Sequence, residues 1–315
     1  MVEQKKLVFM GTPDFARIIL EYVLEWPAGR VAAVYTQPDR PCGRGRRIKA
    51  SPVKELALER GLKVLQPENF RDQTLVDELA SFRPDYLLVA AYGLILPERV
   101  LATPSHMPVN VHASLLPRYR GAAPIQRALI NGEHFTGVST MLMTRGLDSG
   151  PVLLQEKTDI GADDTAGKLH DDLAHMGGRL LTATLEGLVK GTVNPVAQDE
   201  RLATYAPKLT KQDGLLDWNL PARKIHDRVR GLFPWPGSYF DWTGPGQKKI
   251  RLQIFPGRIG PGKPADIIPG TIMGTSSGFL QIACQDNIYL VPRLKPGSSR
   301  EMDARSFECG FLSKC

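Results

Sequence analysis

Cysteine is scarce in this 315-residue chain, and the few present build no motif. Cys42, Cys284, Cys309 and Cys315 make no Cys-x-x-Cys pair, and no histidine sits at ligand spacing from them. That argues against a structural zinc and for free thiols in a reducing compartment. His170 and His175 are five apart, which misses the i,i+4 spacing that puts two imidazoles on one helix face. No metal is therefore expected. Long apolar runs are also missing. The longest, YLLVAAYGLIL (86–96), falls well short of the ~20 residues a membrane span needs. The N-terminal apolar run, LVFM, is too short for a secretion signal. We expect a cytoplasmic protein with no membrane partner.

Two catalytic signatures are missing as well. The first strand-to-helix turn reads GTPDFA and lacks the G-x-G-x-x-G through which a backbone approaches a dinucleotide pyrophosphate. The G-x-G of GRGRR (43–47) lies inside a loop. No Ser or Cys occupies a nucleophile elbow, which disfavours a covalent acyl intermediate. Internal repeats and low-complexity tracts are absent too.

What is present is an alternation of short apolar runs and amphipathic stretches. KKLVFMGT (5–12) predicts a strand, with Thr12 capping a helix that opens at Pro13 and runs through DFARIILEYVLEW. RVAAVYTQ, LKVLQ and DYLLVAAYG predict further strands. SPVKELALERG and FRDQTLVDELASF predict helices between them, the first capped by Ser51. PVNVHAS, an alternating GVSTMLMT and PVLLQEKTDI continue the sheet, and Thr165 to Lys190 reads as one long helix. The fold class is α/β: a Rossmann-like, mostly parallel sheet with helices on both faces. VNPVAQDERLATYAPKLT (193–210) is irregular and reads as a linker. Beyond it, short strands between Gly/Pro turns predict an OB-like β-barrel. The expected domains are 1–192, a linker at 193–210, and the barrel at 211–315.

Asn110 and His112 sit two apart in an apolar strand, so they share one face. Ligands of open α/β sheets bind beyond the carboxyl ends of the strands. Asp148, in the turn LDSG (147–150), can meet them there. Together the three suit acyl transfer to an amine. Histidine takes the amine proton near neutral pH, the asparagine amide holds an oxyanion, and the aspartate orients the imidazole. Spacing alone leaves a second reading open, in which Asn110 and His112 are hydrogen-bonded core residues.

The net charge is +7, and all of the excess lies in residues 206–315, which hold 16 Lys+Arg against 9 Asp+Glu. A basic module on a neutral one suggests a polyanionic partner, with a plainly solvated basic surface as the alternative. The loop PDRPCGRGRRIKA (38–50) adds Arg40, Arg44, Arg46, Arg47 and Lys49 against one acid, Asp39. It is long for a βα connection and reads either as a mobile phosphate-contacting loop or as a solvated one.

NVHASLLPRYRGAAPIQRALINGE (110–133), followed by TGV and LDSGPVL, resembles the 10-formyltetrahydrofolate-dependent formyltransferases. MGTPDFA, TQPDRPCGRGRRIKASPVK, AAYGLILP, RGAAPIQRA and LATYAPKLTK are similar to the members that formylate methionine on initiator tRNA. The likeness spans the full length and is weakest in the barrel. It implies that the Asn110 amide and a protonated His112 hold the formyl oxyanion while Asp148 assists proton transfer through water. Which group first takes the amine proton stays open between this role and the general-base one. It further implies that Ser114, Leu115, Leu116 and Pro117 contact the folate co-substrate. Tyr92, Gly93, Leu94, Ile95 and Leu96 would line its pterin pocket; core packing is the other reading of the three aliphatics. The basic loop would enter the acceptor arm of initiator tRNA, with Lys208 and Lys211 nearby and the barrel as a second tRNA surface. A monomer is expected, since tRNA must reach both domains. Leu116-Pro117, in a tight loop, is a candidate cis bond. Formylation of a small amine, or tRNA binding without catalysis, are the alternatives. The first does not need a basic loop or barrel, and the second does not need an intact Asn110/His112/Asp148 set.

Overall fold

The structure is a computed structural model and describes residues 4–42, 47–244 and 249–312. It divides into two compact units: Met1–Gly121, Gly137–Thr158 and His170–Tyr205 in the first, Ala122–Thr136, Asp159–Leu169 and Ala206–Cys315 in the second. Residues 193–205 thus cluster with the sheet-bearing unit.

The strands of the first unit are β1 (Lys5–Gly11), β2 (Gly29–Tyr35), β3 (Arg40–Cys42), β4 (Arg47–Lys49), β5 (Val64–Leu65), β6 (Tyr86–Ala90), β7 (Met107–His112), β8 (Arg120–Gly121), β9 (Phe135–Leu142) and β10 (Val152–Asp159). Seven form one sheet in the order β10-β9-β7-β6-β1-β2-β5. Pairing is parallel from β5 to β7, and β9 joins β7 antiparallel. The central strands are fully buried, as in Tyr86–Ala90. Their unbroken apolar runs follow from having both faces covered. For the same reason β9 is buried along nearly its whole length and does not alternate as its sequence suggested.

Helices α1 (Asp14–Glu25), α2 (Pro52–Glu59), α3 (Gln73–Ser81) and α4 (Glu98–Leu101) follow the strands in turn. Ser51 caps α2 as expected, accepting from the Lys54 amide. Thr12 does not cap α1. The helix starts at Asp14, and the Thr12 hydroxyl donates instead to the Tyr92 carbonyl, 2.9 Å away, across the strand ends. The predicted strand LKVLQ shrinks to Val64–Leu65, an edge of the sheet. Gly11 is required by close packing: a Cβ there would lie 2.5 Å from the Ala16 Cβ.

In the second unit, α5 (Pro124–Ile130) packs on α7 (Ala222–Gly231); α6 (Ala166–Lys190), between them in sequence, has its first turn in the second unit and residues 170–190 in the first. Gly231 permits the close approach, since its Cβ would meet Ile130 at 2.9 Å. The expected barrel is built as antiparallel strands in two four-stranded sheets around one core that includes Trp218, Ile225, Phe240, Leu252, Tyr289 and Phe307. Arg230 and Asp227 are buried as a pair at 2.8 Å, and Arg230 also donates to the Gly161 and Asp164 carbonyls. Among the described residues, no helix is long and apolar enough to cross a membrane.

Leu87 is fully buried in β6, between β1 and β7. Replacing it with Ala removes core volume that the paired backbone cannot refill. Urea unfolding should show a loss of about 2–5 kcal/mol.

Candidate functional site

The site is built at the carboxyl end of β7, where pairing on both edges leaves the strand no freedom. Asn110 lies opposite Val89 of β6 and Met141 of β9, and His112 lies opposite Ser139. With a period of two, both side chains emerge on one face. Asn110 is 7% exposed and His112 6% exposed. The Asn110 amide makes no side-chain hydrogen bond among the described residues. Its amide atoms are not sealed from solvent, so the group stands open at the strand end.

His112 is held through one ring nitrogen. Nε2 lies 2.9 Å from the Tyr119 carbonyl, an acceptor only, so Nε2 carries a proton and donates. The exchangeable position is then Nδ1, which faces the Asp148 Oδ2 at 3.6 Å. That separation is too long for a direct hydrogen bond and leaves the carboxylate as an electrostatic partner. Asp148 has φ +47°, a conformation that short polar residues tolerate best. Its Oδ2 accepts from the Gly121 amide at 2.8 Å. The structure therefore brings Asn110, His112 and Asp148 into one place.

The loop between them, residues 113–121, is tied down internally. The Ser114 hydroxyl donates to the Arg118 carbonyl, and the Ser139 hydroxyl donates to the Ser114 carbonyl, both at 2.6 Å. Gln155 Nε2 donates to the Leu116 carbonyl at 2.9 Å, and Leu116-Pro117 is cis. Leu115 lies over Gly137, whose Cβ would meet it at 2.6 Å. Leu116 and Pro117 border a cleft of about 350 Å³ that is otherwise lined by residues 152–155 and 196–199. None of residues 92–96 lines that cleft.

Residues 92–96 divide. Tyr92 and Leu96 are core, Leu94 packs on that core, and Ile95 is 94% exposed. The Tyr92 hydroxyl has no partner among the described residues, and burial pushes its pKa far up. The Tyr92 carbonyl accepts from Thr12 Oγ1 and from Gln37 Nε2, at 2.9 and 3.0 Å. Gly93 has φ +81°, and a Cβ there would press on Gln37.

The basic loop is not wholly irregular. Arg40–Cys42 pairs antiparallel with Arg47–Lys49, in the register Arg40↔Lys49 and Pro41↔Ile48. Arg44 and Arg46 lie outside the described residues, and Arg47 is described in its backbone only. Arg40 and Lys49 are exposed and directly opposite, a like-charge pair that disfavours the ribbon unless something anionic meets it. The neighbouring acid does not relieve them. Asp39 is bound by Lys54 at 2.6 Å and by Gln66 at 2.7 Å, and the Lys54 ammonium, then the Gln66 amide, hold its carboxyl below the usual range. Lys208 and Lys211 are exposed in the second unit. Among the described residues, no group of three or more His, Cys, Asp or Glu side chains is placed to hold a metal ion.

Sequence reasoning missed Gln198, whose Nε2 donates to the Asp148 carbonyl at 2.8 Å. It lies in a stretch without periodicity, so nothing local marks it. Sequence reasoning also gave no role to Arg120, which is 2% exposed.

The sequence model described as "Formyl transferase" matches residues 5–185, and "Formyl transferase, C-terminal domain" matches 208–312. The chain belongs to the formyltransferase family. It is 54% identical over 310 residues to the methionyl-tRNA formyltransferase of Nitratidesulfovibrio vulgaris (strain DP4), covering 98% of this chain and 94% of that one. It is 44% identical over 305 residues to the protein of that name from Trichlorobacter lovleyi, covering 97% and 94%. Among solved structures, the N-formyltransferase from Helicobacter canadensis in complex with folinic acid and dTDP-3-aminofucose has a TM-score of 0.64 at 16% identity, over 91% of this chain and 98% of that one. HypX from Aquifex aeolicus in complex with tetrahydrofolic acid has a TM-score of 0.61 at 15% identity, over 97% of this chain and 47% of that one, so this chain spans about half of HypX. Both likenesses show the fold.

Asp39 gives the ribbon a pH-sensitive anchor. Its folded pKa is depressed, so the contribution is present above the ordinary aspartate value and is lost as pH falls through the lower folded one. Amide exchange in residues 40–42 and 47–49 should speed up, relative to the unfolded chain, below about pH 4. In Lys54→Met the same loosening should already be present at neutral pH.

Proposed function

We infer that this chain transfers the formyl group of 10-formyltetrahydrofolate to the α-amino group of methionine carried on initiator tRNA, the modification that marks this tRNA for translation initiation. The observation that carries the reading is the open, unengaged Asn110 amide on the same strand face as His112, with Asp148 3.6 Å from the imidazole. Such an amide is free to donate to a substrate oxygen.

The reaction makes a bond from the amine nitrogen to the formyl carbon and breaks the bond from that carbon to N10 of the folate. The folate co-substrate supplies the formyl carbon. Negative charge gathers on the formyl oxygen along the way, and the Asn110 N–H groups are the donors that meet it. One proton must leave the amine and one must reach N10. Nδ1 of His112 is the ring position free to carry it, because Nε2 is committed to Tyr119. The Asp148 carboxylate stabilises the imidazolium that results, as an orienting acid does for a catalytic histidine. At 3.6 Å the carboxylate acts on the imidazolium by charge, without a direct hydrogen bond.

The chemistry of the site fits the folate. The tied loop Ser114–Leu115–Leu116–Pro117 offers a rigid edge, and the segment 92–96 offers a second one through its backbone and the exposed Ile95, with Tyr92 and Leu96 supporting it from the core. Arg40 and Lys49 on the ribbon, with Arg44, Arg46 and Arg47 of the same stretch of sequence, contact tRNA phosphates. Lys208 and Lys211 are further tRNA contacts, with 1–192 as the catalytic domain, 193–210 as a linker and 211–315 as a tRNA-binding domain. The chain works as a monomer, so that tRNA can reach both domains, in the cytoplasm.

The deciding assay is formyl transfer to initiator against elongator methionyl-tRNA. Strong preference for the initiator supports the reading, and equal use of both, or formylation of a small amine instead, overturns it. His112→Ala should lower kcat by about 10²–10⁴-fold and Asn110→Ala by about 10²–10³-fold, with tRNA binding retained. Near-normal turnover in either variant would sink its assignment. Arg40→Ala with Lys49→Ala should weaken tRNA binding and flatten the plot of log K against log salt by about 0.7–0.9 per lost phosphate contact. A change confined to the folate KM would refute the ribbon's role.

A further inference from the structure

The residues that hold the site form a closed frame with one entry from outside the catalytic loop. Arg120 is 2% exposed, and beside a hydrogen bond to Tyr205 it grips Glu200 and Gln198. NH1 and NH2 donate to the two Glu200 carboxylate oxygens, each at 2.8 Å. Nε and NH2 donate to Gln198 Oε1, at 3.0 and 2.7 Å. Glu200 holds the Arg120 guanidinium charged above its ordinary range. With its oxygen taken, Gln198 has only its amide N–H groups to turn the other way. Nε2 donates to the carbonyls of Asp148 and Gly150, at 2.8 and 2.7 Å.

The same segment grips the other side of the site. Thr204 Oγ1 accepts from the Tyr119 amide, and the Thr204 carbonyl accepts from the Arg120 amide, both at 2.8 Å. Tyr119 is the residue whose carbonyl fixes His112, and Gly121 is the one whose amide fixes Asp148. Residues 198–204 therefore strap both partners of the His112–Asp148 pair. Asp148 needs such a hold, because φ +47° is sparsely populated for a residue with a Cβ and persists only where surroundings over-determine it.

We propose that Gln198, oriented by Arg120 and Glu200, is the positioning residue that sets Asp148 at its working distance from His112. It touches no substrate and acts through Asp148. The inference rests on the catalytic reading of Asp148 given above.

The test is a double-mutant cycle on the full-length enzyme. Gln198→Glu keeps an oxygen toward Arg120 and removes the N–H groups from the Asp148 turn. It should lower kcat by about 10- to 100-fold, the scale of a small misplacement, while KM for both substrates and the melting temperature stay near wild type. In an Asp148→Asn background the same change should cost less than about 2-fold, since both act through one carboxylate. Wild-type kcat in Gln198→Glu, or an equal fold-loss in both backgrounds, overturns the proposal. A loss that tracks a lowered melting temperature, with additive effects, does so too. If Gln198→Glu does not fold, Glu200→Gln at the exposed rim replaces it, with the same non-additivity expected and a smaller loss. Asp148→Asn with wild-type kcat would refute the catalytic reading itself. A crippled Asp148→Asn whose effect multiplies with Gln198→Glu refutes only the positioning role.

Discussion

Everything at this site depends on β7 being paired along both edges, parallel to β6 and antiparallel to β9. A strand locked in that way cannot slip register, because a one-residue shift would send every side chain to the opposite face. Asn110 and His112 are then delivered to the carboxyl edge with their directions set by backbone hydrogen bonds. The change of direction at β9 matters as well. It brings Ser139 opposite His112, where its hydroxyl ties the Ser114 carbonyl and the Leu116 amide into the loop that follows.

That loop turns a strand end into a site. It reaches back with the Tyr119 carbonyl to fix the imidazole and forward with the Gly121 amide to fix Asp148. Two short hydrogen bonds thereby choose the histidine tautomer and leave Nδ1 facing the carboxylate. Nearly every polar group around this turn is satisfied within the chain. The Asn110 amide makes no side-chain hydrogen bond among the described residues and stays open to solvent, where a substrate oxygen can meet it.

The electrostatic picture is less uniform than the composition suggests. Several cations of residues 206–315 are engaged within the chain, which leaves the net excess unchanged but fixes where it lies: Arg230 is buried on Asp227, Arg228 donates to the Asp213 carbonyl, Lys249 and Arg251 share Asp241, and Arg293 meets Glu301. On the ribbon, by contrast, Arg40 and Lys49 face each other while Asp39 is held by Lys54. Like charges directly opposite on a ribbon disfavour it, and an anion between them would relieve that cost.

The fold was legible because its signals are local. Apolar runs buried on both faces, Ser51 before Pro52, and the two-residue spacing of Asn110 and His112 all read directly from adjacent residues. The candidate trio was legible for the same reason, with Asp148 found in its turn. Where the local reading failed, a distant partner had intervened. Thr12 looked like a helix cap, but the Tyr92 carbonyl, 80 residues on, took its hydroxyl. Gln198 looked like linker, and Arg120 drew no reading, because the bonds that define them span 50 and 78 residues of chain. What the chain alone determines is which groups reach the sheet edge, since periodicity is a property of neighbours. What only the tertiary structure decides is which nitrogen of His112 is free, how far it stands from Asp148, and what holds them there. Those follow from hydrogen bonds between segments that become neighbours only on folding.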